Sequence, residues 1–236
     1  GGEAPHEHSF GDWTVTTEPT CTDKGVETRS CACGETETRE VPALGHDWDG
    51  GECTRCDAKQ DSPFVDVPAG SFYFDAVLWA VDEGVTTGTD STHFAPMVAC
   101  TRGQVVTFLW RASGSPEPET TVNPFVDVQQ GSYYYKAVLW AYESGITAGL
   151  DDTHFGPNAE CTRAQVVTFL WRAQGSPAAD ASDVTFTDVQ SGAFYSNAVA
   201  WAVENGVTSG MGDGTFGVNG ICNRAQVVTF LYRAMA

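Results

Sequence analysis

Two amphipathic segments with helical spacing of apolar residues occur together three times along the chain. In the first copy, the first segment runs from about Phe72 to Glu83, and its apolar face carries Ala76, Val77, Ala80 and Val81. The second segment opens at Thr101 and ends near Ala112, and its apolar stripe carries Val105, Phe108, Leu109 and Ala112. Residues three and four positions apart share one face of a helix. The pattern therefore predicts a helix, a turn-rich loop and a second helix in each copy.

The spacing between copies is constant, because each matching residue recurs after 61 positions. The clearest motifs begin at Phe64, Phe125 and Phe186, at Ala76, Ala137 and Ala198, and at Cys100, Cys161 and Cys222. Three units without a net insertion indicate tandem repeats. We place them at residues 61–119, 120–180 and 181–236, after a separate module of residues 1–60 with a different composition.

Local signals mark the helix ends. Thr101 and Gln104 form a Thr-x-x-Gln capping box at the start of the second helix, and this pattern recurs at Thr162/Gln165 and Asn223/Gln226. Gly84 follows the first helix at the position of a left-handed C-cap, as do Gly145 and Gly206. These signals support the helix–loop–helix assignment independently of the apolar pattern.

One such unit is too small to bury its own apolar face, so the three units are expected to pack together. The predicted fold class is mainly α: a pseudo-threefold bundle of three helix–loop–helix repeats, with the first helices central. Short extended pieces at 64–67 are expected to add minor strands. The module at 1–60 is predicted to be a small Cys-rich unit of β and irregular structure, with a polar strand or hairpin at 35–40.

Charge and composition exclude several function classes. The formal net charge of −19 argues against nucleic acid as a partner, because phosphate binding requires a basic face. No run of about 18 apolar residues exists, so we expect no membrane insertion. No set of catalytic residues recurs in the repeats, so we expect no enzyme activity and no cofactor there. Any catalytic domain is expected to lie upstream of Gly1.

The repeat motifs resemble those of the S-layer homology family. They are Phe-x-Asp-Val, an aromatic-rich first helix, Gly-[Val/Ile]-Thr-x-Gly, Phe-x-Pro and Thr-Arg-x-Gln, and they cover residues 61–236. The resemblance implies a three-pronged helical bundle on the bacterial cell wall that binds secondary cell-wall polysaccharide, often through a pyruvylated amino sugar. It also implies an extracellular monomer with an intramolecular pseudo-trimer. The family's usual Thr-Arg-Ala-Glu is replaced here by glutamine-containing versions. The alternative function is an adhesin that binds a protein partner.

The arginines of the repeats stand at two fixed positions. Arg102, Arg163 and Arg224 lie in the first turn of the second helix, where a cation opposes the helix dipole at a cost of about 0.3–1 kcal/mol. Two interpretations remain open for them: an acidic ligand bound between repeats, or an internal salt bridge to Asp66, Asp127 or Asp188. The resemblance favours the ligand. Arg111, Arg172 and Arg233 lie in the last turn, where the dipole alone explains a cation.

Aromatic residues and glycines complete the predicted glycan site. Trp79, Trp140 and Trp201 recur on the first helix, and each can either stack on a sugar ring or fill the core. Gly88, Gly149 and Gly210 lie in the loop between the helices and are included in the predicted site. Cys100, Cys161 and Cys222 precede the cap residues and are interpreted as buried structural residues.

The first module contains five of the eight cysteines. Cys53-x-x-Cys56 has the spacing of a metal knuckle, and Cys31-x-Cys33 with His46 can complete a tetrahedral zinc site. The competing interpretation is one or two disulfides, such as Cys21 with Cys31 or Cys33. The module also resembles small Cys-containing repeats found beside such anchors in bacterial surface proteins, which implies no known activity. A module this small is expected to need a metal ion or disulfides for stability, because its apolar core is small.

Overall fold

Six α-helices, two in each repeat, dominate the second of the two units into which the chain divides after Asp61. The computed structural model describes residues 7–236. The helices are α1 (Phe74–Asp82), α2 (Arg102–Ala112), α3 (Tyr135–Glu143), α4 (Arg163–Ala173), α5 (Ser196–Glu204) and α6 (Arg224–Met235), with a 3-10 turn at Ala181–Asp183. Within the described range, no helix is long and apolar enough to cross a bilayer. The two helices predicted in each repeat are confirmed.

The predicted helix ends are confirmed. Thr101 accepts a hydrogen bond from the backbone of Gln104, and the Gln104 side chain accepts one from the Thr101 amide, which closes the capping box of α2. The same box opens α4 and α6. Gly84 follows α1 with φ +68°, a left-handed conformation that costs glycine little, and its equivalents have similar values. The apolar pattern placed these helices within about two residues of their bounds.

Each second helix packs against the first helix of the following repeat. Helix α2 lies on α3, α4 lies on α5, and α6 returns to lie on α1. The three second helices also contact one another. The prediction that the first helices are central is therefore wrong. The reason is that the second helices carry long Val-Val-Thr-Phe-Leu stretches that are buried along most of their length.

A ring of three backbone hydrogen bonds joins the residues before the second helices. The amide of Cys100 donates to the carbonyl of Cys222 (2.8 Å), that of Cys161 to Cys100 (3.0 Å), and that of Cys222 to Cys161 (3.0 Å). The three cysteine side chains are completely buried in the shared apolar core. These cysteines are structural in the described geometry, and the ring links every repeat to the other two.

The segment at 64–67 forms a turn, so the prediction of minor strands there is wrong. The Val67 amide donates to the Phe64 carbonyl (3.2 Å), and the Asp66 carboxylate accepts the amides of Phe94 (2.9 Å) and Ala95 (2.8 Å). The Val67 bond closes the turn, and the charge-assisted bonds to the Asp66 carboxylate tie this turn to the loop at residues 94–95. Asp127 and Asp188 receive the equivalent amides in the other repeats.

The first unit is a small β-structure. Strands β1 (Thr14–Thr17), β2 (Gly25–Ser30) and β3 (Thr36–Val41) form an antiparallel sheet in that order, and β4 (Trp48–Asp49) pairs with β5 (Glu52–Cys53) as a hairpin. The strand predicted at 35–40 is confirmed as β3. Among the described residues of this unit, the buried apolar side chains are those of Cys31 and Cys53. The unit therefore has almost no apolar core.

We predict that the cysteines of the ring react with alkylating reagents only when the protein is unfolded. Burial raises the pKa of Cys100 and of Cys222 to about 12, so each thiol stays protonated at neutral pH, and the thiolate is the reactive form. Iodoacetamide labelling, mapped by peptide mass spectrometry, should find these residues unmodified in buffer and modified in guanidinium. Labelling of Cys161 in the folded protein at the rate of a free thiol would contradict the buried ring.

Candidate functional site

The arginine at the start of each second helix is anchored to the next repeat. Arg102 is 3% exposed, and its Nε donates to the Phe155 carbonyl at 2.9 Å. Its guanidinium carbon lies 4.8 Å from the ring centre of Phe155 and 5.3 Å from that of Phe169. Planar guanidinium groups stack well on aromatic faces. Arg102 is thus held between two phenylalanines of the second repeat.

The same contacts recur around the domain. Arg163 donates to the Phe216 carbonyl at 2.9 Å, and Arg224 donates to the Phe94 carbonyl at 2.8 Å. Each also lies over two phenylalanine rings of the repeat that it contacts. The third repeat therefore contacts the first in the way that the first contacts the second.

The salt-bridge interpretation is wrong for the described residues. None of Arg102, Arg163 and Arg224 has a carboxylate within ion-pair distance among residues 7–236. The aspartates considered as salt-bridge partners accept hydrogen bonds from backbone amides instead. Asp127 accepts a hydrogen bond from the Phe155 amide, and Arg102 donates one to the carbonyl of the same residue. The arginine and the aspartate thus hold opposite sides of one residue.

The amides at the start of each second helix are not available to a ligand, contrary to the expectation of an anion site there. The Arg102 amide donates to the Ala159 carbonyl (2.8 Å), and the Gly103 amide to the Pro157 carbonyl (2.9 Å). The next amide donates to the Thr101 hydroxyl in the capping box. A helix start binds anions only through unpaired amides. Any anion recognition at the helix start must therefore come from its side chains.

The guanidinium groups keep unused donors. Nη2 of Arg102 and Nη2 of Arg224 are buried without a hydrogen-bond partner, whereas Nη2 of Arg163 donates to the Thr208 hydroxyl at 3.3 Å. Burial lowers the pKa of all three arginines from the usual value, but arginine stays charged in proteins. An unsatisfied buried donor costs about 1–3 kcal/mol, and more on a charged group. Arg102 and Arg224 therefore each retain a buried N–H donor that the described residues do not satisfy.

Two surface grooves have these arginines in their walls. Groove A, with a volume of about 320 Å³, is lined by Arg102, the loop from Thr147 to Leu150, residues of α4 and Phe194. Groove B, of about 240 Å³, is lined by Arg163, the loop from Thr208 to Met211, residues of α6 and Phe72. Both contain side chains from three repeats. Their size suits a single sugar rather than a large ligand.

A second arginine enters each groove, and the sequence interpretation missed it. Arg172 lines groove A and Arg233 lines groove B. Each is oriented by a hydrogen bond from Nη1 to a backbone carbonyl after the first helix, that of Ile146 (3.0 Å) or Val207 (3.2 Å). The helix dipole is by itself a sufficient reason for a cation in the last turn, so nothing in the sequence required placing these arginines in a binding site. Their recurrence beside the first set of arginines was the signal that could have revealed them.

The capping glutamines belong to the same grooves. Gln165 lines groove A and Gln226 lines groove B. Because the side-chain oxygen accepts the backbone amide of the capping box, the amino group remains as a donor. Among the described residues, neither groove is lined by aspartate or glutamate. Each groove thus offers two guanidinium groups and an amide donor in a domain that is otherwise acidic.

The tryptophans do not line these grooves, so their assignment to the arginine site is wrong. Trp201 is 6% exposed and lines a separate depression beside Pro177. Trp79 packs 5.8 Å from the Tyr232 ring, and Trp140 packs on the core. The groove aromatics are Phe194 and Phe72, which are 59% and 63% exposed. Their recurrence with Tyr133, each followed by a tyrosine, could have identified them from the sequence.

The glycines predicted for the glycan site lie in the loops that line the grooves, and the packing of these loops explains why each is a glycine. Gly149 lines groove A and Gly210 lines groove B. A Cβ atom on Gly149 would lie 2.6 Å from the Asp151 carbonyl oxygen and 2.6 Å from a ring carbon of Phe125, at a φ of +91°. Gly88 has an equally crowded position in the first repeat. Glycine is required there because the loop turns closely over the Phe-x-Asp-Val motif.

The metal-ligand set predicted for the first unit is wrong in its membership. The structure groups His46, Cys53 and Cys56 with Cys21, and it groups Cys31 and Cys33 with His8. The sheet explains the separation: Cys31 and Cys33 follow β2 at the turn into β3, whereas Cys21 lies in the loop between β1 and β2. That loop is tied to residues 44–45 by two backbone hydrogen bonds. Cys21 is therefore grouped apart from Cys31 and Cys33, its partners in the disulfide interpretation.

Comparison with known proteins identifies similar sequences. The family model of the S-layer homology domain matches residues 63–106, 124–167 and 185–228. An endoglucanase of Bacillus sp. (strain KSM-635) is 35% identical over 47% of this chain and 12% of its own length. A cell surface protein of Thermoanaerobacter kivui is 33% identical over 48% of this chain and 15% of its own length. The S-layer protein sap of Bacillus anthracis is 26% identical over 64% of this chain and 18% of its own length. The chain matches less than a fifth of each relative.

We predict that Gly149→Ala is more destabilising than Gly145→Ala, although both glycines have a positive φ. A Cβ atom added to Gly145 would meet no heavy atom within 4 Å, so its substitution costs only the left-handed backbone, about 1–2 kcal/mol. Gly149→Ala adds a steric clash and should cost about 2–4 kcal/mol in the free energy of unfolding. Urea denaturation measures both values. Equal losses would show that the loop tolerates a side chain.

Proposed function

Because the chain belongs to the S-layer homology family, we propose that its cell-wall anchoring activity rests on grooves that bind acidic groups of a secondary cell-wall polysaccharide. The family match and the surface-protein relatives establish an extracellular module associated with the bacterial cell wall. The polysaccharide, its acidic group and the residues that bind it are the proposed part.

The observation that carries the proposal is the composition of the grooves. Groove A combines Arg102, Arg172 and Gln165, and no described carboxylate lines it. Nη2 of Arg102 also lacks a partner. A sugar carboxylate can accept two parallel N–H bonds from a guanidinium group, an interaction that is stronger than a neutral hydrogen bond. A ketal-linked pyruvate on an amino sugar is an acid of this kind.

An apolar wall accompanies the cations. Phe194 in groove A and Phe72 in groove B are largely exposed phenylalanines. A ring that is largely in solvent is available to stack on the C–H face of a sugar. We therefore assign ring stacking to these residues rather than to Trp79, Trp140 and Trp201.

The arrangement of the repeats also belongs to the proposal. We place the three units about a pseudo-threefold axis in a monomer, with the cysteine ring near that axis. The cyclic contacts of the arginines support it. A third groove at Arg224, Gln104 and Arg111 then completes the set. It carries Tyr133 in place of phenylalanine, so its affinity is expected to differ.

The anchoring role requires no catalysis by this chain. The endoglucanase relative matches over 12% of its length, so the shared part is a small portion of that protein. We propose that this chain likewise acts as a non-catalytic attachment domain, with neither nucleic acid nor a membrane as its target.

The test replaces the second set of groove arginines, which are less buried than Arg102, Arg163 and Arg224. Arg111→Gln, Arg172→Gln and Arg233→Gln, combined, should weaken binding of purified wall polysaccharide by about tenfold to a hundredfold, because each lost charge-assisted contact is worth about 1.5–3 kcal/mol. Isothermal titration calorimetry gives the affinity, and circular dichroism checks folding. The matched control is Lys136→Gln, which removes an exposed cation outside both grooves and should leave the affinity unchanged.

A second arm separates the polysaccharide from a protein partner. The parent protein should sediment with purified cell wall and stay in solution when the wall has been stripped of its polysaccharide by acid. If the folded triple variant binds like the parent, the groove assignment fails. If the parent still binds stripped walls, the target is another wall component and the adhesin alternative gains support.

A further inference from the structure

We infer that the first unit contains a structural zinc site formed by Cys21, His46, Cys53 and Cys56. The four ligand atoms lie within 4.8 Å of one another. Three cysteines and one histidine form one of the standard ligand sets of closed, structural zinc sites. The family match begins at residue 63, so it does not cover this unit.

The distances between ligand atoms fit a tetrahedral ion. With Zn–S bonds of about 2.3 Å and Zn–N bonds of about 2.0–2.1 Å, a tetrahedron requires about 3.8 Å between two sulfurs and about 3.6 Å between sulfur and nitrogen. The Sγ atoms of Cys21 and Cys53 are 3.8 Å apart, and Sγ of Cys56 is 3.5 Å from Nδ1 of His46. A disulfide would need sulfurs at about 2.05 Å.

Hydrogen bonds from the surrounding chain orient the ligands. The Arg55 amide donates to Sγ of Cys53 at 3.4 Å, as expected within a Cys-x-x-Cys knuckle around a thiolate. The Arg55 guanidinium donates to the carbonyls of Leu44 and Gly45, next to His46. The Gly45 amide donates to the Cys21 carbonyl at 3.1 Å. The three segments that supply ligands are therefore fastened together by bonds outside the site.

The lack of an apolar core gives the ion a structural role. Of the described residues of this unit, Cys31 and Cys53 provide the buried apolar side chains. Units of about 60 residues gain little stability from burial and often require metals or disulfides. A bound ion would replace the missing core and connect the β1–β2 loop, the segment before β4, and β5 with the residues that follow it. The group His8, Cys31 and Cys33 offers only three ligands and serves here as a control.

The experiment measures zinc in the full chain purified under reducing conditions, after a wash with a weak chelator. Elemental analysis should find zinc retained in the parent chain and about one equivalent less in Cys53→Ser/Cys56→Ser. The matched control is Cys31→Ser/Cys33→Ser, which removes two cysteines of the same unit and should keep the ion of the four-ligand site. Cobalt in place of zinc should give the intense visible absorption and thiolate charge-transfer bands of a tetrahedral site, absent only from the first variant.

Cys53→Ser/Cys56→Ser could lose zinc simply because it does not fold, so a variant that keeps four ligands is also needed. His46→Cys retains four ligands, so it should still bind cobalt tetrahedrally, with stronger thiolate charge transfer. X-ray absorption of the zinc-bound parent should show three sulfur neighbours and one nitrogen. The inference fails if the reduced parent takes up no zinc, if the Cys53/Cys56 variant retains as much as the control, or if mass spectrometry finds Cys21 and Cys53 joined as a disulfide.

Discussion

Each repeat finds the partners for the start of its second helix in the next repeat. The first two amides of α2 donate to carbonyls at Ala159 and Pro157, and the Arg102 side chain donates to the carbonyl of Phe155. The amides of Cys100, Cys161 and Cys222 also donate to carbonyls of a neighbouring repeat. Buried helix starts must find partners for their amides, and one repeat alone does not supply them. The repeats therefore depend on one another, and the grooves form where they meet.

This dependence explains why the same aspartate, phenylalanine and arginine recur together. Asp127 holds the amide of Phe155 while Arg102 holds its carbonyl. The two charges are joined through one residue, so neither pairs directly with the other. The guanidinium group is consequently fixed at the edge of a groove with hydrogen-bonding capacity left over. The side chain that joins two repeats is thus also the one that we propose as a ligand donor.

The local part of this architecture could be read from the sequence, and the contacts between repeats could not. Helix bounds, capping boxes and the glycines after the first helices depend on residues within one turn of each other. The central position of the second helices, the place of Arg172 in groove A and the grouping of Cys21 with His46 depend on contacts between segments distant in sequence. The tryptophans were misassigned because an aromatic on a helix face has the same spacing whether it packs inward or faces a groove.

The central claim is that the grooves recognise a negative charge on the wall polysaccharide. The most direct measurement compares calorimetric binding of the intact polymer with that of the same polymer after its carboxylates have been reduced to alcohols, at fixed ionic strength. The neutral polymer is expected to bind at least about tenfold more weakly, because each guanidinium loses a charged partner. Equal affinity for both polymers would contradict recognition of the charge and would assign binding to the sugar ring alone.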